Sequence, residues 1–411
     1  MYNFVFWIII AIILLEFILN RVVSYLNSTW FGKPIPTELE GIYDEEKYTK
    51  QQKYSLTNYK FSTVMASINI VISLVALFIG FYGWFDDVLR GVISNEILLS
   101  ISFLVALGII SSIIDIPFSY YSTFKIEEDF GFNKSTKKTF WLDQVKEIFI
   151  SAVLTGVLYG AIVLIYDLIP DYFWILAWAV LMFFSLFMSM FYSQLIVPLF
   201  NKQTPLEEGE LRTAIENFAK SVDFKVTDIY VMDSSKRSTK ANAYFTGIGP
   251  KKRIVLFDTL IEKLTTEEIV AVLSHEIGHN KHKHIVKSIC LSALTSLFMF
   301  AIFGYLVSSP ELSEAMGGSV PSFHLGMFAF MMLYSPISLI LGILTSVLSR
   351  KNEYEADAFA AKHGLGDALC SALKKISSEA LSNLQPHPAF VFLKYSHPTL
   401  LQRIRRIKIN N

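Results

Sequence analysis

Seven long apolar segments restrict the fold of this chain more than any other feature of its sequence. A helix needs about 20 apolar residues to cross the hydrocarbon core of a bilayer, and each segment is long enough to do so. The chain is 53% hydrophobic and 18% charged, whereas about a quarter of the residues in a soluble protein are charged. We therefore predict a mainly α-helical, polytopic membrane protein with spans at residues 3–25, 60–84, 97–120, 145–169, 173–199, 285–308 and 323–349.

The basic residues between the spans predict the orientation of the chain. The connections 26–59 and 121–144 carry four lysines each, whereas the connections on the other side contain only Arg90. Because lysine and arginine accumulate in cytoplasmic loops, we expect the N-terminus to lie outside and the C-terminus inside. The formal net charge is zero, so nothing indicates a nucleic-acid partner, and no partner protein is evident.

Polar segments divide the chain into four regions. Five spans come first, a polar insert follows them, and a two-span hairpin separates this insert from a polar tail. The hairpin leaves and re-enters the same side of the membrane, so the tail is expected to meet the insert. We place the regions at residues 1–200, 201–284, 285–349 and 350–411.

The end of the insert carries the sequence His275-Glu276-Ile277-Gly278-His279. Two histidines four residues apart project from one face of a helix, about one turn from each other. This spacing lets both imidazoles reach a single tetrahedral zinc ion. Glu276 lies about 100° round the helix, where it can act as a general base without being a ligand. The pattern is typical of zinc metalloproteases.

The residues before this motif predict the helix that the motif requires. Thr265 and Glu268 have the spacing of a capping box, and apolar residues lead from them into the motif. Upstream, Arg253–Phe257 and Asp228–Met232 are predicted strands, and residues 243–245 have the same strand-like composition. The insert is therefore predicted to be a small α/β metallopeptidase domain.

A catalytic zinc site needs a third protein ligand, and the best candidate follows the hairpin. Residues near 353 return to the membrane depth of residue 279, and Glu353 and Asp357 lie four apart on one helical face. We expect Glu353 to bind the ion and Asp357 to accept a hydrogen bond from a ligand histidine. The spacing alone also fits a solvated acidic turn of a helix.

Three further polar residues near the motif are expected to lie outside the metal site. Glu355 is about 200° round the helix from Glu353 and is expected to point elsewhere. His282 and His284 follow the motif closely, but ligands in line along one helix cannot surround one ion. We therefore expect both histidines to be interfacial polar residues.

Several long and distinctive segments, spread over nearly the whole chain, resemble those of a known family. With HEIGH at 275–279, the chain resembles the type 1 CAAX prenyl proteases, a family of integral-membrane zinc metallopeptidases with seven spans. The segments that carry the resemblance are PFSYYSTFKIEEDFGFN at 117–133, PLFNKQTPL at 198–206, KANAYFTG at 240–247, KKRIVLFDTL at 251–260, NEYEADAFA at 352–360 and SHPTLLQR at 396–403.

The resemblance implies a site and an architecture. It implies that one zinc ion is bound by His275, His279 and Glu353, with Glu276 as the base, at the cytoplasmic end of a chamber enclosed by the seven helices. It also implies that Asn242 lies on an edge strand beside the cleft, so that residues 241–245, Ala243 among them, pair with an extended substrate. His397 and Arg403 match a histidine and an arginine near the scissile carbonyl, where they can stabilise an oxyanion. Without the resemblance, His397 would be taken for a loop residue rather than a catalyst, and no catalytic role is assigned to His324, His363 and His387.

Two other functions compete with a CAAX-type endopeptidase. A membrane quality-control protease such as HtpX shares HExxH and ExxAD, but it has fewer spans, and the five spans before residue 200 favour the CAAX type. A non-catalytic membrane chamber or lipid-binding protein with a structural zinc is the other alternative. Glu276 argues against that function, because a structural site needs no base and is usually closed by four protein ligands.

The sequence also leads to expectations about the kind of substrate and the kind of membrane. We expect a peptide or protein substrate, prenylated or not, and a surrounding of membrane lipid. The chain is shorter than the eukaryotic members, and its last residues carry no ER-retrieval signal. These two features favour a bacterial inner membrane, where prenylated substrates need not exist.

Overall fold

A computed structural model describes residues 2–225, 228–246 and 253–410. The protein is mainly helical over these ranges. Its α-helices, in chain order, are α1 (Phe4–Ser28), α2 (Glu45–Phe78), α3 (Phe81–Arg90), α4 (Glu96–Tyr121), α5 (Lys137–Leu168), α6 (Phe173–Leu195), α7 (Glu210–Ser221), α8 (Asp258–Lys263), α9 (Thr266–Lys281), α10 (His284–Leu306), α11 (Pro310–Ala315), α12 (Phe323–Lys362), α13 (Gly366–Glu379), α14 (Pro388–Lys394) and α15 (Leu400–Asn410).

Seven of the described helices have the length and hydropathy of membrane spans, which confirms the predicted number: α1, α2, α4, α5, α6, α10 and α12. No more than 17% of the most apolar window of any of them is buried inside the protein, so most of this apolar surface is left to face a non-protein environment. The helices pack in the order α2, α1, α12, α10, α6, α5 and α4. A π-helical turn, Ser122–Glu127, continues α4 and packs against α2, so the contacts close into a ring.

The second span differs from its predicted range of 60–84. Helix α2 begins at Glu45 and ends at Phe78, because Gly80 adopts a left-handed conformation with φ 69° and redirects the chain into α3. Helix α3 then packs on a glycine turn: a Cβ atom at Gly83 would lie 1.9 Å from the carbonyl oxygen of Gly317. The apolar pattern continues through this break, so periodicity could not locate it.

The last span also runs past its predicted end at residue 349. Helix α12 continues without interruption to Lys362, and residues 350–362 contain neither glycine nor proline to stop it. The predicted border between hairpin and tail therefore lies inside one helix. As a consequence, the acidic residues at 353–357 are held rigidly by a span.

Among the described residues, the insert contains one four-stranded sheet, made of β1 (Gln203–Pro205), β2 (Asp228–Met232), β3 (Ala243–Thr246) and β4 (Arg253–Phe257). The strand order in the sheet is β1-β2-β4-β3. Strands β2 and β4 pair in parallel, and the other two pairs are antiparallel. The predictions for β2, β4 and the strand-like residues 243–245 are confirmed. Strand β3 begins at Ala243, so Asn242 comes one residue before the strand on which it was expected. Strand β3 forms one edge of the sheet.

Helix α9 connects the sheet to the membrane helices. Its apolar residues Ile269 and Leu273 pack in one buried cluster with Ile254 and Leu256 of β4, and the helix also packs against α12 and α13. The burial of this helix between the sheet and α12 fixes the position of the histidine motif, which lies near its C-terminal end.

Candidate metal centre

The histidine motif lies on a helix whose start is defined by a complete capping box. The amide of Thr265 donates to Glu268 Oε2 at 2.8 Å, and the amide of Glu268 donates to Thr265 Oγ1 at 3.3 Å. The sequence prediction of this cap is confirmed. Two turns further on, the Nε2 atoms of His275 and His279 lie 3.1 Å apart, so both rings converge on one point.

A glycine between the two histidines allows α12 to approach this point closely. A Cβ atom at Gly278 would lie 3.0 Å from Phe359 Cβ, 3.1 Å from Ala356 Cα and 3.2 Å from Ala356 O. These contacts are shorter than an ordinary carbon contact of about 3.5–4.0 Å. A residue without a side chain is therefore needed here, and it brings Glu353, one turn before Ala356, next to the histidines.

Glu353 completes a group of three donors. Its Oε1 lies 3.2 Å from His279 Nε2 and its Oε2 lies 3.5 Å from His275 Nε2. Around a tetrahedral ion with ligands at about 2.0–2.1 Å, donor atoms lie about 3.3–3.4 Å apart. The three side chains therefore have the spacing of metal ligands, and the returning hairpin brings them together as the sequence suggested.

The hydrogen bonding of Glu353 provides an independent test of whether a cation fits. Glu353 Oε2 is buried, and no described residue donates a hydrogen bond to it. Leaving a buried carboxylate oxygen without a partner is costly, and such orphan atoms are rare in folded proteins. A metal ion between Glu353 and the two imidazoles would satisfy this oxygen, so the donor set fits a bound cation.

Asp357 and Arg403 lie behind His275, on the side away from the three converging donors. Asp357 Oδ1 accepts from His275 Nδ1 at 2.9 Å, and the Arg403 guanidinium donates to both oxygens of Asp357 at 2.6 and 2.9 Å. Burial opposes a charge on His275, but its hydrogen bond to Asp357 and the nearby carboxylate of Glu353 outweigh burial and raise the pKa of His275 to about 9. Surroundings that favour a proton there also favour a metal cation.

The position of Arg403 bears on its predicted role. Its guanidinium is buried against Asp357, and its Nη1 lies 3.7 Å from Glu353 Oε2. This places the charge behind the ligands, where it neutralises part of the acidic cluster and orients Asp357. The predicted contact with a scissile carbonyl stays a prediction.

Glu276 and His397 face a common cavity of about 460 Å³ that extends from the metal ligands towards α6 and α10. His279, Glu353 and Phe245 of β3 also line it. His397 is largely exposed, and its Nε2 lies 3.5 Å from Glu353 Oε1. A substrate in this cavity would therefore meet the base, the ligands and His397 at once.

The predicted substrate-binding residues flank the edge of the sheet. Asn242 is exposed, and its carbonyl oxygen accepts from the amide of Phe257, so backbone pairing continues one residue beyond β3. Ala243 is the first residue of β3 and pairs with Leu256. Because Phe245 lies on the same strand and lines the cavity, this edge runs past the site.

The sequence prediction that His284 is an interfacial polar residue is wrong, whereas the orientation predicted for Glu355 is confirmed. His284 is buried, its Nδ1 lies 3.0 Å from His279 Nδ1, and its Nε2 lies 3.0 Å from Glu355 Oε2. Glu355 does point away from Glu353, but α10 occupies that side. His282 is exposed, as expected, and its ring stacks near that of His284. The spacing of five residues between His279 and His284 was the only indication in the sequence that the two side chains meet. The contact of His284 with Glu355 on α12 could not be predicted from sequence.

Seven membrane-length helices and a His–His–Glu group beside a glutamate define an integral-membrane metallopeptidase. Two family models match the chain: "CAAX prenyl protease N-terminal, five membrane helices" over residues 24–202, and "Peptidase family M48" over residues 205–410. The chain belongs to peptidase family M48 and is a metal-dependent endopeptidase that acts on peptide or protein substrates.

Similar proteins support this assignment over almost the full length. A CAAX prenyl protease 1 homolog of Arabidopsis thaliana is 37% identical, covering 91% of this chain and 90% of the relative. CAAX prenyl protease 1 of Saccharomyces cerevisiae is 35% identical, covering 93% and 91%. The crystal structure of S. mikatae Ste24p matches with a TM-score of 0.91 and 33% identity, covering 98% of this chain and 99% of that chain. The family resemblance and the fold class inferred from sequence are confirmed.

Proposed function

We propose that this protein is a zinc endopeptidase that cleaves C-terminal CAAX-type peptides, prenylated ones among them, at the cytoplasmic face of a membrane. The observation that carries the proposal is the convergence of His275, His279 and Glu353, with a buried oxygen of Glu353 that accepts no hydrogen bond from any described residue. The substrate class is proposed from the relatives, which are named CAAX prenyl proteases and align with about nine-tenths of this chain.

Zinc is the metal that suits this donor set. Two imidazole nitrogens and one carboxylate oxygen form a set typical of catalytic zinc, and three protein ligands leave one position open. Magnesium and calcium favour sites made of oxygen ligands. A bound zinc would supply a Lewis acid that polarises a carbonyl group and lowers the pKa of water.

The side chains around the ligands have distinct roles in the proposed reaction. Glu276 accepts a proton from the attacking water and returns it to the departing amine, as a general acid–base. His397 donates a hydrogen bond to the oxyanion that develops on the scissile carbonyl. Asp357 keeps the proton of His275 on Nδ1, which leaves Nε2 free for the metal, and Arg403 holds Asp357 in place.

We propose that the substrate binds in an extended conformation along the edge strand β3. Main-chain hydrogen bonds to an edge strand provide affinity that depends little on side-chain identity. Asn242 would orient the substrate backbone where it enters, and Ala243 is small enough to let that backbone approach. The apolar tail of the substrate would lie among the membrane helices.

The distribution of basic residues supports one orientation in the membrane. Lysines cluster in the connections 26–59 and 121–144, which supports an orientation with those connections, the site and the C-terminus in the cytoplasm and the N-terminus outside. The surrounding lipid covers the apolar faces of the seven spans. A bacterial inner membrane stays a prediction from sequence; the relatives named above come from a plant and a yeast.

The test is a comparison of Glu276→Gln with His275→Ala in detergent-purified protein. Glu276→Gln should keep one zinc per chain and lose about 10²–10⁴-fold in peptidase rate, because the amide cannot accept a proton from water. His275→Ala should lose the zinc as well. Wild-type turnover by Glu276→Gln would refute the mechanism, and zinc retained by both His275→Ala and Glu353→Ala would refute the ligand assignment.

The substrate class has its own measurement. Farnesylated CAAX peptide, the same peptide without its lipid and an unfolded soluble protein should be cleaved with decreasing kcat/KM. Equal rates on all three would favour a quality-control protease over a CAAX-type enzyme.

A further inference from the structure

His279 has a second hydrogen-bond partner that neither the ligand group nor the general base includes. Its Nε2 faces His275 and Glu353, while its Nδ1 lies 3.0 Å from Nδ1 of His284. The other nitrogen of His284 lies 3.0 Å from Glu355 Oε2. An unbroken series of polar contacts therefore runs from the metal site through two imidazoles to a carboxylate on α12.

The chain places His284 there by a specific turn. Helix α9 ends at Lys281, and Lys283 adopts a left-handed conformation with φ 57° and ψ 33° before α10 begins at His284. A left-handed backbone is uncommon for a residue other than glycine. This reversal brings the first side chain of α10 back against the last turn of α9, and His284 is buried there.

Proton counting assigns a direction to each of these contacts. A neutral imidazole carries one N–H, and a His279 that offers Nε2 to a metal must hold its proton on Nδ1. That proton can be donated only if His284 Nδ1 accepts it, so His284 must hold its own proton on Nε2. His284 then donates to Glu355, which accepts because it is a carboxylate.

Each ligand histidine therefore donates a hydrogen bond from its Nδ1, the nitrogen that faces away from the metal site. His275 donates directly to Asp357 at 2.9 Å, whereas His279 donates to a carboxylate through an intervening imidazole. Glu353, Glu355 and Asp357 all lie on α12. This one helix therefore supplies a metal ligand and the carboxylates that accept, directly or through His284, from His275 and His279.

We propose that His284 and Glu355 are positioning residues for His279: they fix its tautomer and ring orientation, and thereby tighten metal binding. This inference rests on the proposed zinc site. Partners of this kind typically contribute 10–100-fold to metal affinity. The contact is longer by one imidazole than that of Asp357, and it is partly open to solvent at Glu355, whose side chain is 32% exposed.

A second metal ion is the main alternative use of the same side chains. His282, His284 and Glu355 each offer a donor atom within 4.8 Å of the others. However, a metal on His284 Nε2 would move the proton of His284 to Nδ1, where it would face the N–H of His279. Two donors would then oppose each other at 3.0 Å, and the first site would be weakened. Lys287, with its Nζ 4.0 Å from Glu355 Oε2, also disfavours a second cation.

The experiment compares four full-length variants in detergent by zinc release to a chromophoric chelator and by the visible spectrum of the Co²⁺-substituted protein. His284→Phe keeps a ring but no acceptor, and should release zinc 10–100-fold faster with an altered Co²⁺ band. His284→Asn keeps an acceptor near the position of Nδ1 and should stay within a few-fold of wild type. Glu355→Ala should lie between them, and His282→Ala is the matched control that should behave as wild type.

The outcomes separate this proposal from the proposed function. If the wild type binds no zinc, the zinc site itself fails. If the wild type binds one zinc and both His284→Phe and Glu355→Ala release it at the wild-type rate, only the positioning role is overturned. Two zinc ions in the wild type and one in His282→Ala would also overturn it, in favour of a second metal site. Because the side chain of Glu355 is partly exposed, Glu355→Ala keeps the test valid if His284→Phe does not fold.

Discussion

Replacing Gly278 by alanine tests whether the approach of α9 to α12 sets the metal site. The added Cβ would lie 3.0 Å from Phe359 Cβ and 3.1 Å from Ala356 Cα. Neither atom is at the end of a flexible side chain, so the helices themselves must separate by a few tenths of an ångström. Metal–ligand distances tolerate deviations of about 0.2 Å. Glu353 is held on α12 and the histidines on α9, so the displacement acts directly on the ligand group.

The free-energy cost of Gly278→Ala follows from two opposing effects. Overpacking a close contact costs about 1–3 kcal/mol, and the better helix propensity of alanine returns about 1 kcal/mol. The net loss is about 0–2 kcal/mol, so the protein should still fold. If all of this free energy is lost from metal binding, zinc affinity decreases by up to about 30-fold. Peptidase activity at limiting zinc should fall in parallel.

The assay measures zinc affinity by chelator competition, with the apparent melting temperature recorded for each variant. Gly342→Ala is the matched control, because Gly342 lies on α12 and a Cβ there would meet nothing within 4 Å. It should match the wild type in zinc affinity. Wild-type zinc affinity and activity in Gly278→Ala would show that the distance between the helices does not limit the site.

Three more predictions concern the substrate, stability and topology. Asn242→Ala should raise KM with unchanged zinc content, and proline next to the scissile bond should block cleavage by removing an amide donor; normal behaviour of both would exclude strand pairing. Burial opposes the charge on Glu268, but Lys375, Ser371 and the amide of Thr265 outweigh it and lower the pKa of Glu268. Its contribution to stability is therefore present above the unfolded value of about 4.3 and is lost as the pH falls further. Glu268→Gln, which keeps the cap, should lower the melting temperature at pH 7 by the equivalent of about 1 kcal/mol, because charge-assisted hydrogen bonds become neutral ones. This loss should shrink as the pH falls below about 4.3; a loss that stays the same on acidification would contradict the prediction. Accessibility labelling should place Lys134 in the cytoplasm and Glu311 outside; a cytoplasmic Glu311 would refute the hairpin.

The spans, the strands and the histidine helix could be predicted because each depends on residues close together in sequence. Seven apolar segments, the Thr265–Glu268 cap and the strand-forming residues of β2 and β4 are local patterns, and the structure reproduces them. The same local reasoning placed His275 and His279 on one helical face. Breaks in a uniformly apolar pattern were not predictable, as the end of α2 at Phe78 shows.

The surroundings of the site depended on contacts between elements that are far apart in the chain. No contacts were predicted for His324, yet it is buried in α12 with its Nε2 2.7 Å from Asp86 and its Nδ1 3.0 Å from Ser100. In the same way, the contacts of His284 with Glu355 and of Arg403 with Asp357 join α10 and α15 to α12.

The sequence by itself determined the number of membrane helices, the helix that carries the two histidines and the base, and the chemical types of the ligands. Only the tertiary structure decided which carboxylate oxygen meets which imidazole, and which side chains stand behind each ligand. The physical reason is that helical periodicity fixes directions within one element, whereas distances between elements are set by packing, here by the contact of Gly278 with Ala356.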